Sequence, residues 1–311
     1  MPVETIPTTG RGTATHIARD AIERGADLIL VAGGDGTINE VVNGMAQSEI
    51  PLGILPAGTA NVLATELGVG KTMEQAAEAL LDCSEERVAL GLLSTQAPLT
   101  DVRGSAESVR YKAATGGSGF DNDLPDGPRY FLSMAGVGLD AEIVYDLNLR
   151  LKDRLGKAAY WIAGFAKLGS RLPEFTVEVE GQTFRAGFAL VSRVRNYGGD
   201  LEIAPSISLF EDEFEIVLFE GESSLRYLKY MFGVGTGRHR GMRGVNILRA
   251  RSAIFPAAAD PRVHVQVDGE YVGTIPAKVE IAPRALTLLV PPSFRAGRLG
   301  SATQWTTSPT R

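Results

Sequence analysis

The segment Val31 to Gly44, VAGGDGTINEVVNG, sets one carboxylate, Asp35, among Gly33, Gly34 and Gly36 and follows it with Thr37, Ile38 and Asn39. Two chemistries suit that pattern. A tight strand-to-helix connection uses glycines for positive φ and an Asp or Thr to cap the helix. A phosphate cradle uses them as well, because unpaired backbone N–H groups and the helix dipole point at one spot, which glycine leaves open to an anion. In the second case Asp35 needs a counter-charge, and a magnesium ion bridging carboxylate and phosphate would supply it. A similar turn, AGTAN from Ala57 to Asn61, offers the Thr59 hydroxyl, with Asn61 placed to cap its own helix. Thr37 and Glu40 have the T-x-x-E spacing of a capping box. Further along, VHVQVDGEYVG alternates up to an Asp-Gly pair, which by itself is a strong hairpin-turn signal. The chain contains no G-x-x-x-x-G-K-[ST], no H-R-D or D-F-G set and no dinucleotide G-x-G-x-x-G, which disfavours P-loop and protein-kinase types.

The elements that must position these residues follow from periodicity. Ile17, Ala18, Ala21 and Ile22 repeat at helical spacing between Gly12 and Gly25, and Gly25 is placed to end that helix in a left-handed conformation. DLILVA reads as a strand buried on both faces of a parallel sheet. After the glycine turn, Ile38, Val41, Val42 and Met45 share one helical face. The pattern repeats with PLGILP as strand, AGTAN as turn, VLATELG as helix and a further amphipathic helix from about Lys71 to Asp82. Strands alternating with helices imply a parallel α/β sheet. Beyond about Glu85, runs such as FTVEVEG, FALVS, FEIVLFEG and LTLLVP predict a mostly antiparallel β half. The expected organisation is a parallel α/β domain over residues 1–85 and a mostly antiparallel β domain over 86–292, with the tail 293–311 packing back on the first. A helical insert is expected over Lys157 to Leu168, with Trp161, Ile162, Phe165 and Leu168 on one side, and a long loop from Ser94 to Pro128.

Composition narrows the classes. At 311 residues, two domains are the better prior; 44% hydrophobic and 22% charged residues suit a globular protein with a sizeable core. A formal charge of −6 disfavours a general nucleic-acid binder. Cys83 is alone, so no intramolecular disulfide can form and a reducing compartment is the simplest expectation. No apolar run approaches membrane-spanning length, and the first residues lack a signal-peptide core. The protein is expected in the cytoplasm, transiently at the inner membrane surface. Arg238, His239, Arg240, Arg243, Arg249 and Arg251 form a basic cluster that is either solvated surface or a dock for an anionic bilayer.

Five segments together resemble the diacylglycerol kinase, sphingosine kinase and bacterial lipid kinase family: GGDGTINEVVNG; LGILPAGTANVLATELG; RYFLSMAGVGLDAEIV from Arg129 to Val144; NYGGDLEIAP; and VDGE from Val267 to Glu270. The resemblance implies an NAD kinase/diacylglycerol kinase-like α/β domain, a β-sandwich domain and an ATP site between them. It implies that Thr9, from the loop after the first visible strand, joins Gly33, Gly34, Asp35, Gly36, Thr37, Ile38, Asn39 and Thr59 at the nucleotide and its Mg²⁺. It puts the catalytic carboxylate in the D-G-E, with Glu270 favoured as general base over Asp268, the two expected on one side of an extended chain. It implies a structural magnesium loop, where Glu211 would coordinate with the Ser208 and Glu213 carbonyls unless this stretch is a solvated acidic face; Asp35 belongs to the separate magnesium at the nucleotide. The implied activity is transfer of the γ-phosphoryl group of ATP to a lipid hydroxyl, diacylglycerol-like or sphingoid, by a protein touching membranes from outside. A homodimer is left open. The alternative is a non-catalytic lipid-binding or regulatory protein that keeps the fold; an NAD kinase is disfavoured by the N-E-V after GGDGT.

Three departures from the family pattern stand out. The family begins with a strand and an N-P-x-S-G loop, whereas this chain starts at what looks like the second strand, so either translation starts upstream of Met1, the expectation favoured, or the strand is lost and the ATP site compromised. Ala89 stands where relatives commonly carry an aspartate. Glu211 and Asp212 stand where the magnesium loop usually reads D-G.

Overall fold

The computed structural model describes residues 3–95, 128–139, 141, 171–197, 201–258, 260 and 262–295. The expected helix over 157–168, the loop residues 96–127 and the tail beyond Arg295 lie outside them.

The N-terminal third alternates as its periodicity predicts: α1 (Thr13–Glu23), β1 (Ile29–Gly33), α2 (Asp35–Met45), β2 (Pro51–Pro56), α3 (Val62–Leu67) and α4 (Met73–Leu80). Gly25, at φ +79°, takes the left-handed turn that ends α1, and Gly68, at φ +69°, does the same for α3. β1 and β2 pair in parallel with Val31 opposite Ile54, so both following turns open at the carboxyl edge of the sheet. Two expectations fail here. Residues 3–12 form no strand, so Thr9 does not follow one. β1 is not buried on both faces: it is the sheet edge, Val31 alone is buried and Leu30 is 48% exposed. An apolar run reports that a strand has something to pack against, not on how many sides.

The rest is antiparallel, except where the end of the final described strand joins β2. It comprises β3 (Ser84–Thr95), β4 (Arg129–Phe131), β5 (Met134–Gly138), β6 (Phe175–Val179), β7 (Gln182–Ala186), β8 (Phe188–Ser192), the short β9 (Asn196–Tyr197) and β10 (Leu201–Glu202), and β11 (Phe214–Phe219). After α5 (Ser224–Gly235) come β12 (Val245–Ala250), β13 (Ser252–Phe255), β14 (His264–Val267), β15 (Glu270–Thr274) and β16 (Ala277–Val290). One sheet runs β12-β11-β8-β5-β14-β15. The other runs β1-β2-β16-β13-β6-β7, with β3 on the far side of β16 and β4 beyond it. The molecule is thus a parallel α/β core with an antiparallel β-sandwich attached. Strand alternation explains the sandwich: Phe214, Ile216 and Leu218 of β11 enter the core between the sheets, while Val217 and Phe219 face the cluster that also takes Tyr227 and Tyr230 of α5.

β16 joins the two halves. Its first residues pair with β13 (Ser252↔Glu280), its last with β2 in parallel (Leu288↔Leu52), and its whole length with β3, with an irregularity between Ala282 and Leu286. The last strand among the described residues therefore supplies the third strand of the N-terminal parallel sheet. Phe294, just beyond it, packs on Phe210 with ring centroids 5.3 Å apart.

Candidate active site

The two glycine turns lie back to back. A Cβ on Gly58 would sit 2.5 Å from the Gly34 Cα, and one on Gly33 would sit 2.8 Å from the Thr37 Cβ, so both positions require glycine for space. Ala57 N–H donates to the Gly33 carbonyl (3.0 Å), continuing the parallel pairing into the turns. Helix α2 starts at Asp35 with Gly34 as its N-cap, so Thr37 is not the cap and the capping box does not form.

The carboxylates expected to cap α2 cap its neighbours. Asp35 Oδ1 accepts the N–H of Val62, the first residue of α3, at 2.8 Å. Glu40 accepts the N–H groups of Gly12 (2.8 Å) and Ala14 (3.1 Å) at the start of α1. Asn61, at φ 47°, occupies the N-cap position of α3 without capping it; its amide binds Gly58 through N–H and carbonyl, both at 2.8 Å, and so shapes the AGTAN turn. Thr59 is exposed beside it. Thr9 is exposed too, its N–H 3.3 Å from the Thr13 hydroxyl. Ile38 belongs to the core, 3% exposed, and its N–H donates to the Gly34 carbonyl. Its side chain and its amide are thus both engaged within the protein.

The D-G-E segment is both a hairpin turn and part of the site. Asp268 (φ 46°) and Gly269 (φ 82°) form a two-residue turn between β14 and β15, closed by the pair Val267↔Glu270. The expected side-by-side placement of Asp268 and Glu270 fails, because the chain is not extended between them. Asp268 is turned inward, where Oδ1 accepts the N–H groups of Ser133 (3.1 Å) and Met134 (2.8 Å), and Oδ2 accepts Leu132 N–H (3.1 Å) and Asn39 Nδ2 (2.6 Å). Burial pushes its pKa up to about 6, against the pull of those donors, leaving it ionised at neutral pH. With four donors on two oxygens, Asp268 is an anchor and not a base. Glu270 is half-buried at the start of β15, and its Oε1 lies 3.2 Å from where a Gly36 Cβ would be. Of the two carboxylates, Glu270 is the one that faces the glycine turn.

Several partners escaped the sequence reading. The Asn39 amide donates to Asp268 (2.6 Å); Asn43, one turn on, donates to the Tyr130 carbonyl (2.8 Å) and accepts the Tyr130 N–H (2.9 Å). The spacing of four residues put both amides on one helix face, and that was the available signal. Arg129, the first residue of β4, lies in the electrostatic field of Glu270 and Glu40; burial lowers its pKa and those two charges oppose the shift. Glu66 of α3 is buried, accepting the backbone and Nε of Arg195 (3.1 and 3.2 Å). Burial raises its pKa, and Arg195 pulls it down.

The expected magnesium loop is filled otherwise. Arg193, fully buried, donates from Nη1 to the carbonyls of Glu211 and Glu213 (2.9 Å) and from Nη2 to those of Leu209 (2.7 Å) and Ala89 (3.1 Å). Its Nε has no acceptor among the described residues. Burial lowers the pKa to about 10, opposed by Asp212 and Glu211, so the guanidinium stays charged at neutral pH. The carboxylates of Glu211 and Glu213 are paired with Arg249, and the Ser208 carbonyl accepts the Glu211 N–H (3.0 Å). The three positions put forward for the metal loop are thus engaged with Arg193, with Arg249 and with one another, and among the described residues no three His, Cys, Asp or Glu side chains are grouped to hold a metal. The basic cluster is partly spent in the same region: Arg240 pairs with Glu215 (2.7 Å), and His239 is buried with Nε2 at 2.9 Å from the Ile203 carbonyl.

Two family models cover most of the chain: the diacylglycerol kinase catalytic domain over residues 1–93 and the YegS C-terminal NAD kinase beta sandwich-like domain over residues 133–290. This chain belongs to the diacylglycerol kinase family. Diacylglycerol kinase of Bacillus subtilis (strain 168) is 29% identical over 289 residues, 91% of this chain and 84% of the relative. Diacylglycerol kinase of Mycobacterium tuberculosis (strain H37Rv) is 27% identical over 286 residues, 89% and 81% of the two chains. The crystal structure of a diacylglycerol kinase from Bacillus anthracis str. Sterne shares the fold at a TM-score of 0.67 and 21% identity, covering 92% of this chain and 85% of that one. Both glycine turns lie within the first matched region, and the D-G-E hairpin, whose Glu270 stands beside Gly36, lies within the second.

Proposed function

We propose that this family member transfers the γ-phosphoryl group of ATP to the hydroxyl of a lipid, diacylglycerol-like or sphingoid. The observation that carries the reading is the Glu270 carboxylate beside Gly36 at the first turn of α2, where N–H groups and the helix dipole favour a phosphate. Gly33, Gly34, Gly36 and Thr37 would line the phosphates, with the Thr59 hydroxyl on the adjoining turn; Arg129 would add positive charge on the Glu270 side. In the reaction Glu270 takes the proton of the lipid hydroxyl while its oxygen bonds to the γ-phosphorus and the bond to the ADP oxygen breaks. Because such transition states are loose, positioning and charge neutralisation carry much of the acceleration, and the base adds about 10²- to 10⁴-fold.

Magnesium fits a site with few carboxylates, since it is commonly held by one or two of them together with the nucleotide's own phosphates. Asp35 is the carboxylate at the turn that would hold it, and its chemistry there is neutralisation of phosphate charge. Peripheral contact with an anionic bilayer is supported by α5, where Leu225 (63%) and Phe232 (73%) are exposed on the helix that also exposes Arg226 and Lys229. No helix among the described residues is long and apolar enough to cross a membrane.

The test is incubation of the full chain with labelled ATP, Mg²⁺ and a panel of diacylglycerol, phosphatidylglycerol and sphingoid bases in mixed micelles. Label in an organic-extractable phospholipid, lost in Glu270→Gln, is the expected result. ATP binding without transfer to any of these lipids would favour the regulatory alternative.

A further inference from the structure

Two of the chain's departures from its family's pattern, Ala89 and the Glu211-Asp212 pair, meet at the guanidinium of Arg193. Four backbone carbonyls, of Ala89, Leu209, Glu211 and Glu213, converge on it from β3 and from the segment before β11. Converging carbonyl oxygens are what a hard cation asks of a loop. A planar cation with several N–H donors can satisfy the same cage, and it needs fewer carboxylates to balance one positive charge than a divalent ion needs for two. The local charges follow that logic. Residue 89 contributes a carbonyl and no carboxylate, and the Glu211 and Glu213 carboxylates face outward to Arg249.

We propose that Arg193 is a built-in cation holding the Leu209–Glu213 loop in place of the structural magnesium the family resemblance implies, so that the fold is independent of divalent metal, and that removing its side chain uncovers a latent divalent-cation site formed by the same carbonyls. This is a statement about folding and metal content, and it stands whether or not the chain phosphorylates a lipid.

The test uses the full-length protein without nucleotide, freed of metal with EDTA and followed by thermal unfolding and elemental analysis. The wild-type midpoint is expected to be the same in EDTA, Mg²⁺ and Ca²⁺, with no stoichiometric divalent metal retained. Arg193→Ala removes the guanidinium donors from four carbonyls, two of them in buried bonds; its midpoint falls by roughly 10 °C and recovers in part with millimolar Ca²⁺ or Mg²⁺. Arg193→Lys keeps the charge with fewer donors, melts between the two and ignores divalent ions. A wild-type protein that is destabilised by EDTA or purifies with one bound magnesium overturns the proposal. So does an Arg193→Ala protein as stable as wild type, and an unresponsive one overturns the latent site. If Arg193→Ala fails to fold, the wild-type and Arg193→Lys measurements decide.

Discussion

Glu270 and Asp268 sit two residues apart and have opposite fates, because only one of them faces the glycine turn. Glu270→Gln should lower turnover by about 10²- to 10⁴-fold with ATP affinity nearly intact, as judged by steady-state kinetics alongside calorimetry; unchanged turnover would remove it as base. Asp268→Ala should instead cost about 3–5 kcal/mol of stability in chemical denaturation, since it strands three N–H groups and the Asn39 amide in the interior. The sign of its pH effect follows from its raised pKa. Ionising Asp268 costs the folded state, so its contribution is fullest below its ordinary value of 3.8 and declines as pH rises through about 6. Asp268→Asn cannot ionise, and the stability gap between it and wild type should narrow by up to ~3 kcal/mol from pH 4 to pH 7.

At the scale of elements, the site is a set of helix starts and turns held by residues borrowed from one another. Helix α2 donates Asp35 to cap α3 and Glu40 to cap α1, while Asn39 and Asn43 fasten its inner face to the D-G-E hairpin and to β4. Two glycine substitutions separate space from chemistry. Gly58→Ala would drive a methyl group into the Gly34 backbone, which cannot yield, and should cost about 1–3 kcal/mol as well as nucleotide affinity. Gly36→Ala meets only the end of the Glu270 side chain, which can swing away. That variant should unfold like wild type yet lose turnover; wild-type activity in it would place Glu270 away from the reacting groups.

At the scale of the molecule, β3 and β16 form a shared spine between the parallel core and the sandwich. Because β16 also supplies the strand next to β2, the N-terminal segment is an incomplete sheet by itself. Residues 1–83 expressed alone should show no cooperative thermal transition by circular dichroism, while the full chain unfolds in one. A stable, cooperative 1–83 fragment would mean that the spine is dispensable to the core.

Local order was legible in the sequence because it depends on neighbours a few residues away: helix periods, the glycine ends of α1 and α3, the parallel β-α alternation, the antiparallel half and the two-residue hairpin at Asp268-Gly269. The five matching segments likewise pointed to the family and to the residues around the glycine turns. What only the tertiary structure decided is where each polar side chain spends its hydrogen bonds. A carboxylate reads alike in sequence whether it caps a distant helix like Asp35, fills with amide donors like Asp268 or stands beside a phosphate turn like Glu270. Burial of Arg193 in a cage of carbonyls is invisible for the same reason, since backbone oxygens carry no residue identity and chain positions up to 104 apart must come together before they can converge.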